Sequence, residues 1–592
     1  MELNNDDYNV AIGYLAGQGA GAGTFEQGVY IGANAGKVLT TGDQNVFIGY
    51  NAGDASTTNG LNVLVGANAG TALYGDLAGG NTFIGYNAGA AATTVGNAIA
   101  IGREAMGGGN VQGAGGGEAS FTIAIGRESL NALTTGSSNL AIGYQSMAAL
   151  TTGASNIAIG GNTLDAADGG ETGNIAIGDS ALGAMDEGSG NANYNIGIGH
   201  LALTGGAGNA DMTGNIAIGA NALNSTSTNS HTGTIAIGYE TLTALTSGAG
   251  NTAVGYQAGD NLDAGNYNTI LGYQALSAED GHGYNVAVGY QALLVQNAGA
   301  DVGNVAIGYQ AGKAISTGAR NLAIGKGAMD SLTVGDDNVA IGYDALGTMA
   351  ATDNNDKNIA IGSYALANAG ASSNVSGSNV AIGYTSGVQV TTADECVFVG
   401  AFSGDAITSG TKNTALGANA LSVATTALYN TAVGFNAMSD VQAGQTVDGC
   451  VAVGYEAMKG SGSTTTGANY SIAIGKTALK SITTAAACIG VGFEALIAHT
   501  TGANQIAIGH GAMDATGNAG GSANNLMIGT DAGGGTWGST EQHHNIGIGH
   551  YAMRGALSGA NHNIAIGNYS LDALVSGDRN VAIGYDALTA AD

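Results

Sequence analysis

The sequence predicts an all-β protein, specifically a parallel β-solenoid, and three observations carry that prediction: a short phrase repeated along the whole chain, a repeat length with a sharp lower limit, and the complete absence of proline. The phrase is "NVAIGYDAL" at residues 338–346, with relatives such as "GNIAIGDSALG", "YNVAVGYQALL" and "HNIAIGNYSLD". Its glycines serve as anchors, running Gly13, Gly32, Gly49, Gly66 and so on to Gly549, Gly567 and Gly584, 32 in all. The shortest interval is 17 residues, about half of the intervals have that value, and the rest are longer, up to 24 between Gly102 and Gly126. A floor with excursions only upward means that one closed turn of backbone needs 17 residues and that extra residues loop out. Proline lacks the N–H that an inter-turn ladder requires, so a chain that pairs nearly all its backbone above and below excludes it.

Each turn begins with the strand. "NVAIG" alternates and is rich in Val and Ile, which predicts a short β-strand at each repeat. Val and Ile share one face, and Asn, Ala and Gly share the other. Neither face is charged, so one is expected to fill the coil and the other to meet a second chain. After the anchor comes "YQAL", in which the third position is Ala, Ser or Thr (Ala16, Thr241, Ala258, Ser386) and the fourth is Leu, Met or Gly (Leu276, Gly312, Met438). So strict a size rule implies packing against the same slot of the next turn. The segment is too short for a stable helix, and a second strand turning back through "TTG" or "TSG" is expected to close the rung. The insertions fall at this corner: in the Gly342–Gly362 unit the growth lies between "DAL" and the next Asn.

Four residues before the anchor the residue is usually Asn, including Asn251, Asn268, Asn285, Asn304, Asn321 and Asn338, a spacing that predicts a ladder of side-chain amides along the axis. Each turn then supplies at least two apolar residues, each contributing roughly 1.5–3 kcal/mol when buried. No single turn is stable alone, and stability accumulates over neighbours. The expected organisation is one continuous solenoid of about 32 rungs over residues 1–592, without a separate cap, stalk or anchor domain, and bare ends would let subunits stack end to end.

Composition narrows the function. The formal charge of −30, from 43 acidic and 13 basic residues, opposes binding to nucleic acid and to anionic membranes. No run of 18 apolar residues exists, so no membrane-inserting helix is expected, and the acidic start "MELNNDDYNV" does not read as a secretory signal. No Ser, His and carboxylate constellation falls outside the repeats, and the turn faces lack paired carboxylates. An enzyme is not expected, and no cofactor is implied.

The remaining candidates each have a structural reading. Cys396, Cys450 and Cys488 all occupy the Asn slot, several turns apart, which is too far for a disulfide. His544 and His562 stand in matching positions of successive turns and are the candidate zinc ligands, with Glu541 nearby. Tyr239, Tyr256, Tyr273, Tyr290 and Tyr309 follow five consecutive anchors, a stripe that would either stack along the axis or grip the sugar rings of a glycan. Arg103–Glu104 and Arg127–Glu128 match as a small ion-pair network. Asp336–Asp337 and the run at 353–357 read as solvated acidic corner loops, without a calcium signature.

The repeating "N-V-A-I-G" resembles the head repeats of trimeric autotransporter adhesins, and "NTAVGYQAG…NTILGYQAL" at 251–276 resembles the repeat arrays of bacterial and phage tail-fibre proteins. The resemblance covers the repeats along nearly the whole chain. It does not extend to the coiled-coil stalk and membrane barrel of the adhesins or to the self-cleaving chaperone domain of the fibres. It implies a left-handed β-roll, three identical chains side by side, and a location outside the cell or on a virion surface. The function expected is therefore that of a structural fibre whose partner is another copy of itself, with an adhesin that binds cell-surface glycan as the alternative.

Overall fold

A computed structural model describes residues 8–20, 24–75, 78–109, 119–185, 192–205, 211–225, 231–348, 355–369, 377–441, 447–460, 467–517 and 521–589. They form two compact units, Met1–Gln291 with Gly299–Asp301, and Ala292–Ala298 with Val302–Asp592. Each unit is a parallel β-solenoid carrying sixteen three-residue strands, from Val10–Ile12 to Val286–Val288 in the first and from Val305–Ile307 to Val581–Ile583 in the second. No helix occurs among the described residues. Successive strands pair in parallel and in register, as in Ile157↔Ile175 and Ala158↔Ala176, so each residue stacks on its counterpart one turn away.

The strand is only three residues long because the anchor glycine ends it. Gly160 has φ of +141°, and the glycine anchors repeat this conformation from turn to turn. Its backbone amide still donates to the turn before, Gly160 N to Ile142 O at 2.8 Å. The expected second strand does not form. The segment after the anchor is a run of turns in which the second and fourth residues both take left-handed conformations, as at Gln145 (φ 53°) and Met147 (φ 51°). This alternation turns successive amides to opposite sides: Gln145 N donates to Arg127 O in the preceding turn (3.0 Å), and Met147 N donates to Thr163 O in the following one (2.9 Å). Backbone pairing along the axis is thus kept without extended geometry. It is strong enough to hold Leu and Met in a region that bulky residues otherwise avoid.

The strand faces also settle differently from a Val/Ile-filled coil. The central residue is buried and its two neighbours are half-buried, so Ala176 lies inside while Ile175 and Ile177 face outward. The interior is filled instead by the fourth residue after the anchor and by the corner residue three further on, such as Leu130 with Leu133 and Met147 with Leu150, all fully buried. Leu at the fourth position goes with Ala or Gly at the strand centre in every turn but one: Ile270 shares its turn with Leu276, and Gly259 one turn earlier makes the room, since a Cβ there would come within 2.8 Å of Ile270 Cδ1. At Gly197, a Cβ would overlap the Leu182 side chain.

Where the strand centre is aromatic, the fourth position gives way. Phe47 is followed by Gly53, Phe83 by Gly89 and Phe398 by Gly404, and a Cβ on either of the last two would overlap the ring. The two positions exchange bulk at constant volume. Phe398→Ala is therefore expected to destabilise the second unit by about 3–5 kcal/mol. Adding Gly404→Leu, which rebuilds the Ala415/Leu421 arrangement of the next turn, should recover most of that loss in thermal melting.

Candidate functional site

The most regular chemistry in the molecule lines the inner edge of the strands. Asn268 N and Nδ2 donate to Asn251 Oδ1 at 2.9 and 3.2 Å, and Asn285 N donates to Asn268 Oδ1 at 2.9 Å. In the second unit, Asn321 N donates to Asn304 Oδ1 at 2.8 Å, and Asn338 N and Nδ2 donate to Asn321 Oδ1 at 3.0 and 3.2 Å. All six are buried. Each Nδ2 can also reach a corner carbonyl, such as Gly265 O from Asn251 (2.7 Å) and Gly335 O from Asn321 (2.8 Å). The ladder therefore ties the strand to the corner within and between turns.

The cysteines occupy this slot. Cys396 N donates to Asn379 Oδ1 (3.0 Å) and Cys396 Sγ to Gly410 O (3.4 Å). All three thiols are free and buried, and burial pushes each up to about 11, so they stay protonated and unreactive at neutral pH.

On the outer surface, Tyr239, Tyr256, Tyr273 and Tyr290 stack face to face with centroids 5.1–5.4 Å apart and planes within 16°. Beside them runs an amide ladder, Gln257 Nε2 to Glu240 Oε2 (2.9 Å), Gln274 to Gln257 (3.0 Å) and Gln291 to Gln274 (3.2 Å). The ring faces are spent on one another, which leaves edges and hydroxyls for contact. Tyr309, in the second unit, has Lys326 over its ring at 5.7 Å, and Lys326 also lies 5.5 Å from the Tyr343 ring.

The histidine pair His544 and His562 does come together, with centroids 5.0 Å apart. The adjacent His543 is committed elsewhere: its Nδ1 accepts from Ala523 N (3.0 Å), which leaves its Nε2–H to donate to Glu541 (3.1 Å). Among the described residues, the group of three ligating side chains within reach of one ion is a different one, Glu279, Asp280 and His282. The Glu279 carboxylate is buried with Oε1 3.0 Å from His282 Nδ1. Sequence reading passes over it. The available signal is that Glu279 and His282 replace Leu262 and Gly265, the apolar corner pair one turn earlier.

Arg103 and Arg127 pair with Glu104 and Glu128 in their own turns at 3.3 and 2.8 Å, and Gln145 bridges onward to Glu128 (2.8 Å). Arg320 spans Asp336 (3.0 Å) and Asp337 (2.6 Å) of the next turn. Of the acidic run at 353–357, residues 353 and 354 lie outside the described residues.

A further row sits five residues after the anchor. Asp54, Asp165, Asp260, Asp330, Asp405 and Asp514 are half-buried there, and burial pushes each carboxyl up, Asp405 to about 6. Asp330 and Asp344 border a cavity of about 260 Å³ that also touches Tyr364 and Asn368.

The outer face of the strands is apolar. Within each unit the outward residues of the strands, mostly Val and Ile with some Leu and Thr, form a ribbon, with Leu271 48% exposed in the first unit and Leu416 46% and Ile474 41% in the second. Among the described residues, no helix is long and apolar enough to cross a membrane. No family model and no curated protein matches the chain.

Proposed function

We propose that this chain is a structural fibre protein that assembles side by side with copies of itself through the Val/Ile ribbon of its strands. The ribbon is the observation that carries the reading. It repeats on every turn, has no charge, and faces outward although most of the same strands hold only Ala or Gly inside. Covering one half-exposed β-branched side chain contributes on the order of 1 kcal/mol. Association costs about 4–15 kcal/mol in lost freedom, so only a partner that follows the ribbon over many turns gains enough. A second copy of this chain has the matching period and the matching surface. The charges lie on other faces, and their mutual repulsion, screened by salt, makes assembly stronger at higher ionic strength. The resemblance of the repeats to adhesin heads and tail fibres supports a place at a cell or virion surface.

The decisive measurement is sedimentation velocity with electron microscopy on the wild type and on a variant carrying Leu271→Lys, Ile307→Lys, Leu416→Lys and Ile474→Lys. The wild type is expected to sediment as a concentration-dependent oligomer of aligned chains. The variant, whose ammonium groups would be buried unpaired in the contact, is expected to sediment as a folded single chain with an unchanged circular dichroism spectrum. A wild type that stays single at all concentrations and salt levels overturns the reading, and so does a variant that assembles equally well.

A further inference from the structure

The corner that enters each strand holds a second row of tyrosines, five residues before the anchors, and this row is not stacked like the first. The geometry points to a binding trough for an uncharged saccharide chain in the first unit, running from Tyr194 over Gly214 and Gly233 to Tyr267. This site goes beyond the assembly reading and does not depend on it.

The row reads Gly173, Tyr194, Gly214, Gly233, Gly250, Tyr267 in successive turns. The four glycines have φ between 64° and 71°, a left-handed backbone that glycine takes without strain. Tyr194 sets the Cδ1–Cε1 edge of its ring against Gly173, where a Cβ would come within 2.7 Å of Cδ1 and 2.9 Å of Cε1, and Tyr267 sits in the same way against Gly250. Glycine in the turn below thus seats each ring. Tyr284 supports Tyr267 from the next turn at 5.7 Å. Between the two seated rings, a Cβ on Gly214 or Gly233 would meet nothing within 4 Å, so the floor there is bare backbone. Tyr194 is 65% exposed and Tyr267 60%. Four turns separate them, on the order of 19 Å at ~4.8 Å per turn, which is the length of a chain of several sugar rings.

The chemistry of the trough selects among ligands. A peptide adding as a strand needs free backbone groups, and the floor amides are already used: Gly214 N donates to Asn193 O, Gly233 N to Thr213 O and Gly250 N to Thr232 O, at 3.1, 3.1 and 3.0 Å. The flanking ladder Met212–Thr213 with His231–Thr232 holds this floor rigid. An anionic polymer needs cations, and from Glu128 to Gly312 the sequence contains no Lys or Arg. What remains is a ligand with apolar ring faces and no charge. The C–H face of a neutral hexose against an exposed tyrosine face, at a position where glycine permits close approach, fits that description.

Titration calorimetry of the full chain with neutral β-linked oligosaccharides of increasing length, and with hyaluronan as the anionic comparison, tests this. Affinity is expected to rise with chain length for a neutral series and to be absent for hyaluronan. It should fall about tenfold on Tyr194→Ala, and likewise on Gly233→Asn, which fills the floor with a residue that tolerates the left-handed backbone. Tyr273→Ala, in the stacked ladder, should leave it unchanged. Absence of binding by every neutral series overturns the proposal, as does binding that Tyr194→Ala and Gly233→Asn leave intact or that Tyr273→Ala abolishes. The oligomeric state of the same samples is read separately, so loss of assembly and loss of the trough are distinguishable.

Discussion

Replacing Gly160 by Ala is expected to break the first unit at that turn, with a loss exceeding about 4 kcal/mol, although only one methyl group is added. Two independent costs coincide there. The backbone has φ of +141°, a conformation reserved in practice for glycine. The added Cβ would also lie 2.5 Å from Gly178 O and 2.7 Å from Gly178 C in the next turn. Backbone cannot swing aside as a flexible side chain can, so the turns must separate, and the bond from Gly178 N to Ile159 O (2.8 Å) opens with them.

Gly467→Ala provides the control. Its φ of +75° is also unfavourable for Ala, but a Cβ there meets nothing within 4 Å. It should cost only about 1–2 kcal/mol. Thermal melting gives the two losses, and amide hydrogen exchange should show the Gly160→Ala opening localised to adjoining turns, as nearest-neighbour stacking requires. Equal effects from the two substitutions would mean that close inter-turn contact is not what requires glycine at the anchor.

In-register stacking of the turns explains why so much of the fold is legible without coordinates. When every residue stacks on its own counterpart, any position with a size or hydrogen-bonding demand must satisfy it repeatedly, and the demand becomes visible as a column of identical letters. Asn268 and Gly272 are readable for that reason. Two matters are not. Alternation in "NVAIG" separates Val and Ile from Ala but is symmetric as to which set points inward. The choice is made by Leu130 or Met147 arriving from the other side of the coil, and the trade between Phe398 and Gly404 shows the same volume limit in reverse. Likewise, Leu and Met in left-handed backbone contradict local propensity. Only the inter-turn amide bonds, invisible in a single repeat, make that conformation favourable. The tyrosines at Tyr194 and Tyr267 go unnoticed because their meaning lies in the glycine one turn below.

The Asn slot gives the second large expectation, and it depends on pH. Asn338 is fully buried; its Oδ1 accepts from Asn358 N (2.9 Å) and Nδ2 (3.2 Å), while its own Nδ2 is shared among Asn355 O (2.8 Å), Asp336 O (3.1 Å) and Asn321 Oδ1 (3.2 Å). The slot therefore requires a neutral group that both donates and accepts. Asn338→Ala removes both functions, leaves buried groups unpaired, and should cost about 2–4 kcal/mol at any pH. Asn338→Asp keeps the acceptor but introduces a charge, and none of the hydrogen-bond partners of this side chain named above is a cation. Its folded pKa must then lie above the ordinary value of about 4. For a carboxyl raised in this way, the deficit is small below the unfolded pKa, where the group is protonated and can donate, and it grows as pH rises through the folded value. Melts at pH 4 and pH 7 should therefore diverge for Asn338→Asp and run parallel for Asn338→Ala. A pH-independent loss in the aspartate variant would show that the slot does not exclude charge. Cys396 already points the other way: its thiol, neutral because burial holds it near 11, donates to Gly410 O at 3.4 Å and accepts from Asn413 N at 3.5 Å. Asn338→Cys should accordingly be the mildest of the three substitutions.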